Sequence, residues 1–512
     1  MKNTQDLWDS IVQRAVLGTE RAAAKHSTAD GGELGTLLAR IDTGDAERAL
    51  LASAAIVAGY QNAGSLPRQV TLTSVEPAPL DENDQPATPP GVAGLLSKML
   101  AEINEEVLPE WLDAVAARGW RVPTPMLTTV LELAAQSTTL RERIKRVLGA
   151  RGRWLAARNP EWSFAAEHVP PDEAQLRAAW DTGTPEVRTA ILVYTRGRDP
   201  ALGRSLLVST WKDEPPAQRA TLLEQLVHGL SAADEEFLES ALDDRRQEVR
   251  KVAAELLRRL SGSALVARLT AEAQRALAWK SGLRKGWTVE PPSALSDALA
   301  RDGIEKKPPK GLGERAWWLA QIVAAVPPAT WTTVTNCAPD ELIVAAKKGD
   351  WWKALFEGWA AAAVRNRDAG WAAATLDAGF FDDQPTPIAP AFTELIDVLP
   401  VEARESYLAN VMRDKENRNI VPALLVASDH QWSAKFATTV LDWLRKRVQE
   451  ASELGDWGLQ QVLPQIALHV PPSLTSATEN WPAIENTGLA RAVERLISIL
   501  SFRRELAQEL AR

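Results

Sequence analysis

Three arginines, Arg188, Arg219 and Arg250, stand 31 residues apart, twice over. Each lies in a similar window: Pro185-Glu-Val-Arg188-Thr-Ala-Ile-Leu, Pro216-Ala-Gln-Arg219-Ala-Thr-Leu-Leu and Gln247-Glu-Val-Arg250-Lys-Val-Ala-Ala. Two further columns keep the same step, Trp180, Trp211 and Leu242, and Leu176, Leu207 and Leu238. A period of this length with two helical apolar stripes per unit describes a helix–turn–helix repeat. One such unit cannot bury its stripe alone, so neighbours must stack, and the chain over 170–260 is constrained to a solenoid of helix pairs. In each unit helix A ends near the Trp/Leu column, a short polar turn follows, and helix B starts near the Arg column. Asp213 and Asp244 lie six residues before Arg219 and Arg250; Thr182 holds that place in the first unit.

The helical pattern extends through nearly the whole chain, so the expected class is all-α. Leu7, Trp8, Ile11, Val12, Ala15 and Val16 form one stripe; Leu50, Leu51, Ala54 and Val57 form another. Residues 65–91 hold six prolines and the acidic Asp81, Glu82 and Asp84, and read as a linker or long loop with a brief extended stretch about Val70 and Leu72. Stripes resume with Leu95, Leu96, Met99 and Leu100, then Trp111, Leu112 and Val115, then Leu127, Val130, Leu131 and Ala134. Pro291, Pro292, Pro308 and Pro309 with Lys306, Lys307 and Lys310 mark a second loop. Beyond it helical stripes return without a clean 31-residue register. The organisation expected is a helical region over 1–64, the linker 65–91, a repeat region over 92–285, the loop 286–313 and a C-terminal helical region over 314–512. Alanine supplies 82 of the 512 residues, which favours helices that approach closely. Among such small side chains, the 20 tryptophans read as gap fillers rather than as a binding surface.

The run Asp243-Asp-Arg-Arg-Gln-Glu-Val-Arg-Lys-Val-Ala-Ala-Glu-Leu-Leu257 resembles the second helix of a HEAT-like repeat. That family carries an Asp in the inter-helix turn and a Val-Arg pair opening helix B; Gln218 departs from the pattern before Arg219. The resemblance implies that the Asp and Arg columns bridge neighbouring units, which makes Arg188, Asp213, Arg219, Asp244 and Arg250 structural; the pairs expected are Arg219 with Asp213 and Arg250 with Asp244. Residues 14–21, 148–162, 234–260 and 311–319 also resemble an uncharacterised bacterial family. Its genes tend to sit beside a MoxR-type AAA+ ATPase, a von Willebrand A protein and a SWIM zinc-finger protein. This second resemblance implies a partner set and no catalytic residues.

The familiar chemistries find no footing. One cysteine, Cys337, and five dispersed histidines give no local metal site. There is no GxxxxGK[ST], GxSxG or HExxH string. Gly311-Leu-Gly-Glu-Arg-Ala316 matches GxGxxA but follows Lys306-Lys-Pro-Pro-Lys310, which is no central strand, so it reads as a helix start. Glu235-Glu236 and Asp382-Asp383 are neighbours in sequence, which point apart on a helix and do not make an acid–base pair. No enzyme activity and no cofactor are expected. The N-terminus lacks a signal peptide's apolar region and no apolar run approaches about 18 residues, so the expected location is the cytoplasm.

One charge anomaly remains. The chain carries a net charge of −9, yet 141–158 holds Arg141, Arg143, Lys145, Arg146, Arg151, Arg153 and Arg158 against Glu142 alone, with Trp154 and Trp162 interleaved. Such a stretch suits a phosphate backbone or an acidic partner. It equally suits ion pairs within the chain, to the acidic face Glu102, Glu105, Glu106, Glu110 and Asp113. The functional expectation is a non-catalytic adaptor or scaffold that binds proteins through a curved, extended repeat surface, with the ATPase and von Willebrand A protein as partners. The alternatives are nucleic-acid binding through 141–158 and an enzyme site assembled from scattered residues.

Overall fold

A computed structural model describes residues 2–19, 33–64, 84–166, 171–282, 285–310, 312–379, 390–414, 420–428, 430–451, 457–478, 481, 484 and 487–512. The stretch about Val70 and Leu72, and Asp382-Asp383, lie outside the described residues. The fold is all-α, with one two-stranded hairpin among the described residues. No helix among them is long and apolar enough to cross a membrane.

Contacts divide the chain into two compact units, Met1–Ala78 and Pro79–Arg512. The division falls within 65–91, whereas 92–285, 286–313 and 314–512 all belong to the second unit. The first unit holds α1 (Lys2–Leu17), α2 (Glu33–Leu38) and α3 (Ala46–Gly64). Leu34, Leu38 and Val57 are its buried centre, with Leu7, Trp8 and Ile11 packed against them. The outer part of each predicted stripe is unused: Val16 and Leu51 are exposed.

The second unit runs through α4 (Pro90–Leu100), α5 (Leu108–Ala117), α6 (Leu127–Gln136), α7 (Thr138–Lys145) and α8 (Gly149–Ala156). Three helix pairs follow: α9 (Glu173–Thr182) with α10 (Pro185–Arg196), α11 (Pro200–Thr210) with α12 (Pro216–Glu224), and α13 (Glu235–Ala241) with α14 (Gln247–Arg259). These are the residues that the 31-residue register assigns to helices A and B. Proline in the first turn presets α10, α11 and α12. Side-chain caps from Asp172, Thr184 and Asp199 satisfy N-terminal amides of α9, α10 and α11.

The register continues one step further than the arginine column shows. Leu269 and Ala273 in α15 (Ala264–Ala276) stand 31 residues after Leu238 and Leu242, and both are fully buried. In place of a helix B comes the antiparallel hairpin of β1 (Leu277–Lys280) and β2 (Gly286–Val289), with Trp279 opposite Trp287. Trp, Thr and Val favour the strands, and Gly282 takes the positive φ of the turn. The span 286–313, read as a loop, therefore contains a strand and a short helix, α16 (Asp297–Arg301). The proline-rich signal there was real, but it reports only the connections on either side of that helix.

The chain then passes through α17 (Glu314–Ala325), α18 (Ala329–Thr335), α19 (Pro339–Ala346), α20 (Trp352–Asn366), α21 (Ala369–Asp377), α22 (Phe392–Val398), α23 (Val401–Val411), α24 (Val421–Val426), α25 (Ala434–Ala451), α26 (Trp457–His469) and α27 (Thr487–Ala511). Small residues set the spacing of α17 and α20. A Cβ at Gly358 would lie 2.8 Å from Val323 Cβ and 2.9 Å from the Ala320 carbonyl, so only glycine permits this crossing. Tryptophans fill the wider gaps: Trp287 lies 5.7 Å from Trp331 and 5.6 Å from Trp359, which in turn lies 5.3 Å from Trp371.

One continuous core runs from Val92 to Leu506. An extended array would keep its two ends apart, but here α27 packs on both α26 and α4. Lys98 pairs with Glu505, Arg495 with Glu106, and Arg503 with Glu110. The Arg503 side chain is fully buried and also donates to the carbonyls of Ala467 and Val470 at the end of α26.

The repeat has a comparable centre. Arg196, at the end of α10, forms a bidentate pair with Asp234, and both side chains are fully buried. Arg196 also donates to the carbonyls of Pro200, Leu226, His228 and Gly229. Burial pushes the Asp234 carboxyl upward, but hydrogen bonds from Arg196, the Ser231 amide and Arg204 outweigh it and leave the carboxyl below its ordinary 3.8. A lowered folded value stabilises fully above 3.8, and the contribution fades as pH falls through the folded value. Asp234→Asn, which strands a buried guanidinium, is expected to cost about 3–5 kcal/mol at neutral pH. Urea unfolding at descending pH checks this: the gap between native chain and variant should narrow only below 3.8.

Candidate functional site

The repeat columns meet at the turns between units. Leu176, Leu207 and Leu238 are buried, as are Trp180 and Leu242; Trp211 is partly buried, edge-on to Phe237 at 5.0 Å. Arg188 lies over Trp180 and Arg219 over Trp211, with guanidinium-to-ring distances of 5.8 and 5.7 Å. Arg188 Nε donates to the Trp180 carbonyl at 2.8 Å and Nη2 to Asp181 at 3.1 Å, satisfying carbonyls that the end of α9 leaves open. Its Nη1 pairs with Glu214 of the next unit. Thr210 joins the same group, accepting from Trp180 Nε1 and donating to Glu214.

At the next interface Arg219 pairs with Asp244 at 3.1 Å, again one unit ahead. The pairing inside each unit, Arg219 with Asp213 and Arg250 with Asp244, is corrected accordingly. Asp213 is exposed and its neighbour Glu214 is buried, so the acid of the first interface sits one position later than the sequence column suggested. Among the described residues Arg250 donates only to the Asp244 carbonyl, at 2.7 Å. The third unit carries Leu242 rather than Trp and meets α15, so among the described residues this arginine has neither an aromatic plate nor an acid ahead of it.

The basic stretch is spread over α7, α8 and their connection. Arg141 donates to the carbonyls of Ala134 and Ala135 at the end of α6 and lies 4.9 Å from the Phe164 ring. Arg143 and Arg146 both bind Asp113, at 2.9 and 3.1 Å. Lys145 pairs with Glu142. Arg158 stacks on Trp154 at 3.8 Å and donates to its carbonyl. Arg151, Arg153 and Trp154 are half-buried. Of the acidic face expected to receive these charges, only Asp113 does so. Glu106 and Glu110 turn instead to Arg495 and Arg503 of α27.

Asp84 is the residue that sequence reasoning placed least well. Within the linker reading it was one acid among three. Its carboxylate accepts from the Ala150 amide at 2.8 Å, capping the first turn of α8, and lies 3.6 Å from the buried Arg121. Burial raises its carboxyl, and amides of Ala150, Gln85 and Arg151 together with Arg121 more than reverse this, leaving it below the ordinary value. Gly149 makes the approach possible: it holds a φ of +64°, and a Cβ there would lie 2.5 Å from Asp84 Oδ2. An Asp-Gly pairing 65 residues apart leaves no local sequence pattern.

The remaining motifs resolve into structure. Gly313 is the N-cap of α17, in keeping with a helix start. Glu235 accepts from the Ala264 amide at the start of α15, while Glu236 is exposed, so the two carboxylates face no common pocket. Among the described residues no three His, Cys, Asp or Glu side chains come together to hold a metal.

A groove of about 590 Å³ lies between α4, α5, α6 and α7. Met99, Leu108, Leu133 and Leu140 supply its apolar floor, and Glu102, Glu105, Glu106 and Glu132 line it, with no basic side chain in the lining.

Arg219→Ala is expected to lower stability by about 1–3 kcal/mol, because it leaves Asp244 without its ionic partner. Arg250→Ala, which removes one bond to a carbonyl, should cost less, about 0.5–1 kcal/mol. Denaturant unfolding of the two single variants checks the order.

No curated protein matches the chain, and no solved structure does. A family of unknown function, DUF5691, matches residues 10–510, nearly the whole chain. The chain belongs to that family.

Proposed function

We propose that this chain is a non-catalytic scaffold that binds other proteins through the surface of its helical array. The observation that carries the reading is the combination of a locked framework and an open groove. Arg196 with Asp234 and Arg503 with Glu110 fix helices against one another at two distant places in the second unit. A framework of this kind presents a surface in one conformation, so a partner does not have to order it on binding. The groove between α4, α5, α6 and α7 lies beside the α27 contact, where Arg495 holds Glu106 and Ser498 donates to Asn104. The HEAT-like pattern over 170–260 supports the same reading, since stacked helix pairs bind by area and shape. The resemblance to the bacterial family points to a MoxR-type AAA+ ATPase and a von Willebrand A protein as partners.

Nucleic-acid binding through 141–158 has less support. Arg141, Arg143, Lys145, Arg146 and Arg158 already have partners inside the chain, and each must be released to meet a phosphate.

Affinity purification from the native host, with and without nuclease, tests the two readings. Nuclease-resistant recovery of an AAA+ ATPase or a von Willebrand A protein is the expected result. Recovery that disappears with nuclease contradicts it and returns the basic stretch to first place.

A further inference from the structure

We infer that the groove between α4, α5, α6 and α7 is a docking site for a basic amphipathic helix, one with a row of Leu- or Met-like anchors flanked by Lys or Arg. The inference rests on the scaffold reading and names the chemistry of one partner segment.

Three observations define the occupant. The floor is apolar: Met99 and Leu108 are almost fully buried at its base, and Leu133 and Leu140 are half-exposed along it. A hollow of about 590 Å³ accepts several aliphatic side chains, within the range of roughly 300–1,000 Å³ typical of binding pockets. Apolar anchors at helical spacing are what such a floor selects.

The charge of the rim is of one sign. Glu102, Glu105 and Glu132 are exposed, and none has an ion-pair or hydrogen-bond partner for its side chain among the described residues. Glu106, only one residue from Glu105, is taken up by Arg495 of α27, so the acids left at the rim are those beyond the reach of that helix's arginines. The three unpaired acids therefore complement cations that the groove itself does not supply. A metal ion is the wrong cation, because no three of these carboxylates converge. A segment that spreads several positive charges along its length fits their separation, and its apolar face fits the floor between them.

The groove's edge is also fixed in place. Glu102 and Asn104 both hold positive φ, 62° and 54°, and the buried Asn104 side chain accepts from Ser498 of α27. Closure of the array by α27 thereby sets the position of the acidic rim.

The probe is a fluorescein-labelled Leu/Lys amphipathic peptide of roughly four helical turns, read by anisotropy on the full chain. A Ser/Lys peptide of equal length and charge reports the part due to charge alone. The test variant is Glu102→Lys/Glu105→Lys/Glu132→Lys; the control, Glu224→Lys/Glu248→Lys/Glu402→Lys, changes the net charge equally at exposed acids elsewhere. The expected result is at least about a tenfold loss of Leu/Lys affinity in the test variant, under about twofold in the control, and about tenfold weaker binding of the Ser/Lys peptide by the native chain. Equal losses in both variants would reduce the site to diffuse charge and overturn the proposal. So would equal binding of the two peptides, or failure of the native chain to bind the Leu/Lys peptide. Anisotropy with the native chain does not depend on the variants folding. The scaffold reading fails separately: if protein partners still co-purify with the test variant, the groove is wrong and the scaffold stands; if none co-purify with the native chain, the scaffold itself falls.

Discussion

The guanidinium group is the device on which this helical array depends. An all-α chain with short turns leaves the last carbonyls of every helix without partners, and stacking the helices hides those carbonyls from water. Arginine answers both needs, with five donors in a rigid fork and a charge that can also hold a carboxylate. Arg141 closes α6, Arg188 closes α9, Arg404 donates to carbonyls at the end of α22, and Arg503 does so at the end of α26. Arg258, 62 residues after Arg196 and thus two repeat steps along, donates to the carbonyls of Asp302 and Gly303 just past α16. In each case a side chain from one element satisfies the backbone of another, so packing and hydrogen bonding become a single constraint.

This arrangement explains what the acids do. Glu214 and Asp244 receive the arginine of the preceding unit, which carries the register from one helix pair to the next. Glu106 and Glu110 receive Arg495 and Arg503 and bring α27 onto the start of α5 within the second unit. Glu102, Glu105 and Glu132 are not taken up in this way, and they line an apolar groove. The framework consumes Glu106 and Glu110, and the groove keeps Glu102, Glu105 and Glu132.

Much of the fold was legible because it is written in local periodicity. The 31-residue columns placed three helix pairs, and the buried Leu176, Leu207 and Leu238 show why: the same position faces the core in each unit. The helical stripes beyond the second loop include α17 and α20, and the tryptophans do fill the gaps between small side chains. The hairpin at 277–289 was not legible because its strands are four residues each, too short for a period-two pattern to show. The packing of α27 on α4 and α5 was not legible because Arg503 and Glu110 stand nearly four hundred residues apart, and no periodicity links them. Two readings of the basic stretch were open on sequence alone; which acids it meets depends on where α27 lies. One compositional signal was available: of the 58 basic residues 41 are arginine and 17 lysine. Charge alone does not distinguish the two, whereas a need for forked donors does.

The most direct test of this account is the substitution Arg196→Lys, followed by denaturant unfolding at neutral pH. Lysine keeps the positive charge opposite Asp234 but cannot reach four carbonyls and a bidentate carboxylate together. The account predicts a loss of about 3 kcal/mol or more, most of what removing the side chain altogether would cost. A variant as stable as the native chain would show that charge at this position suffices, and would contradict the claim that forked donors hold the array together.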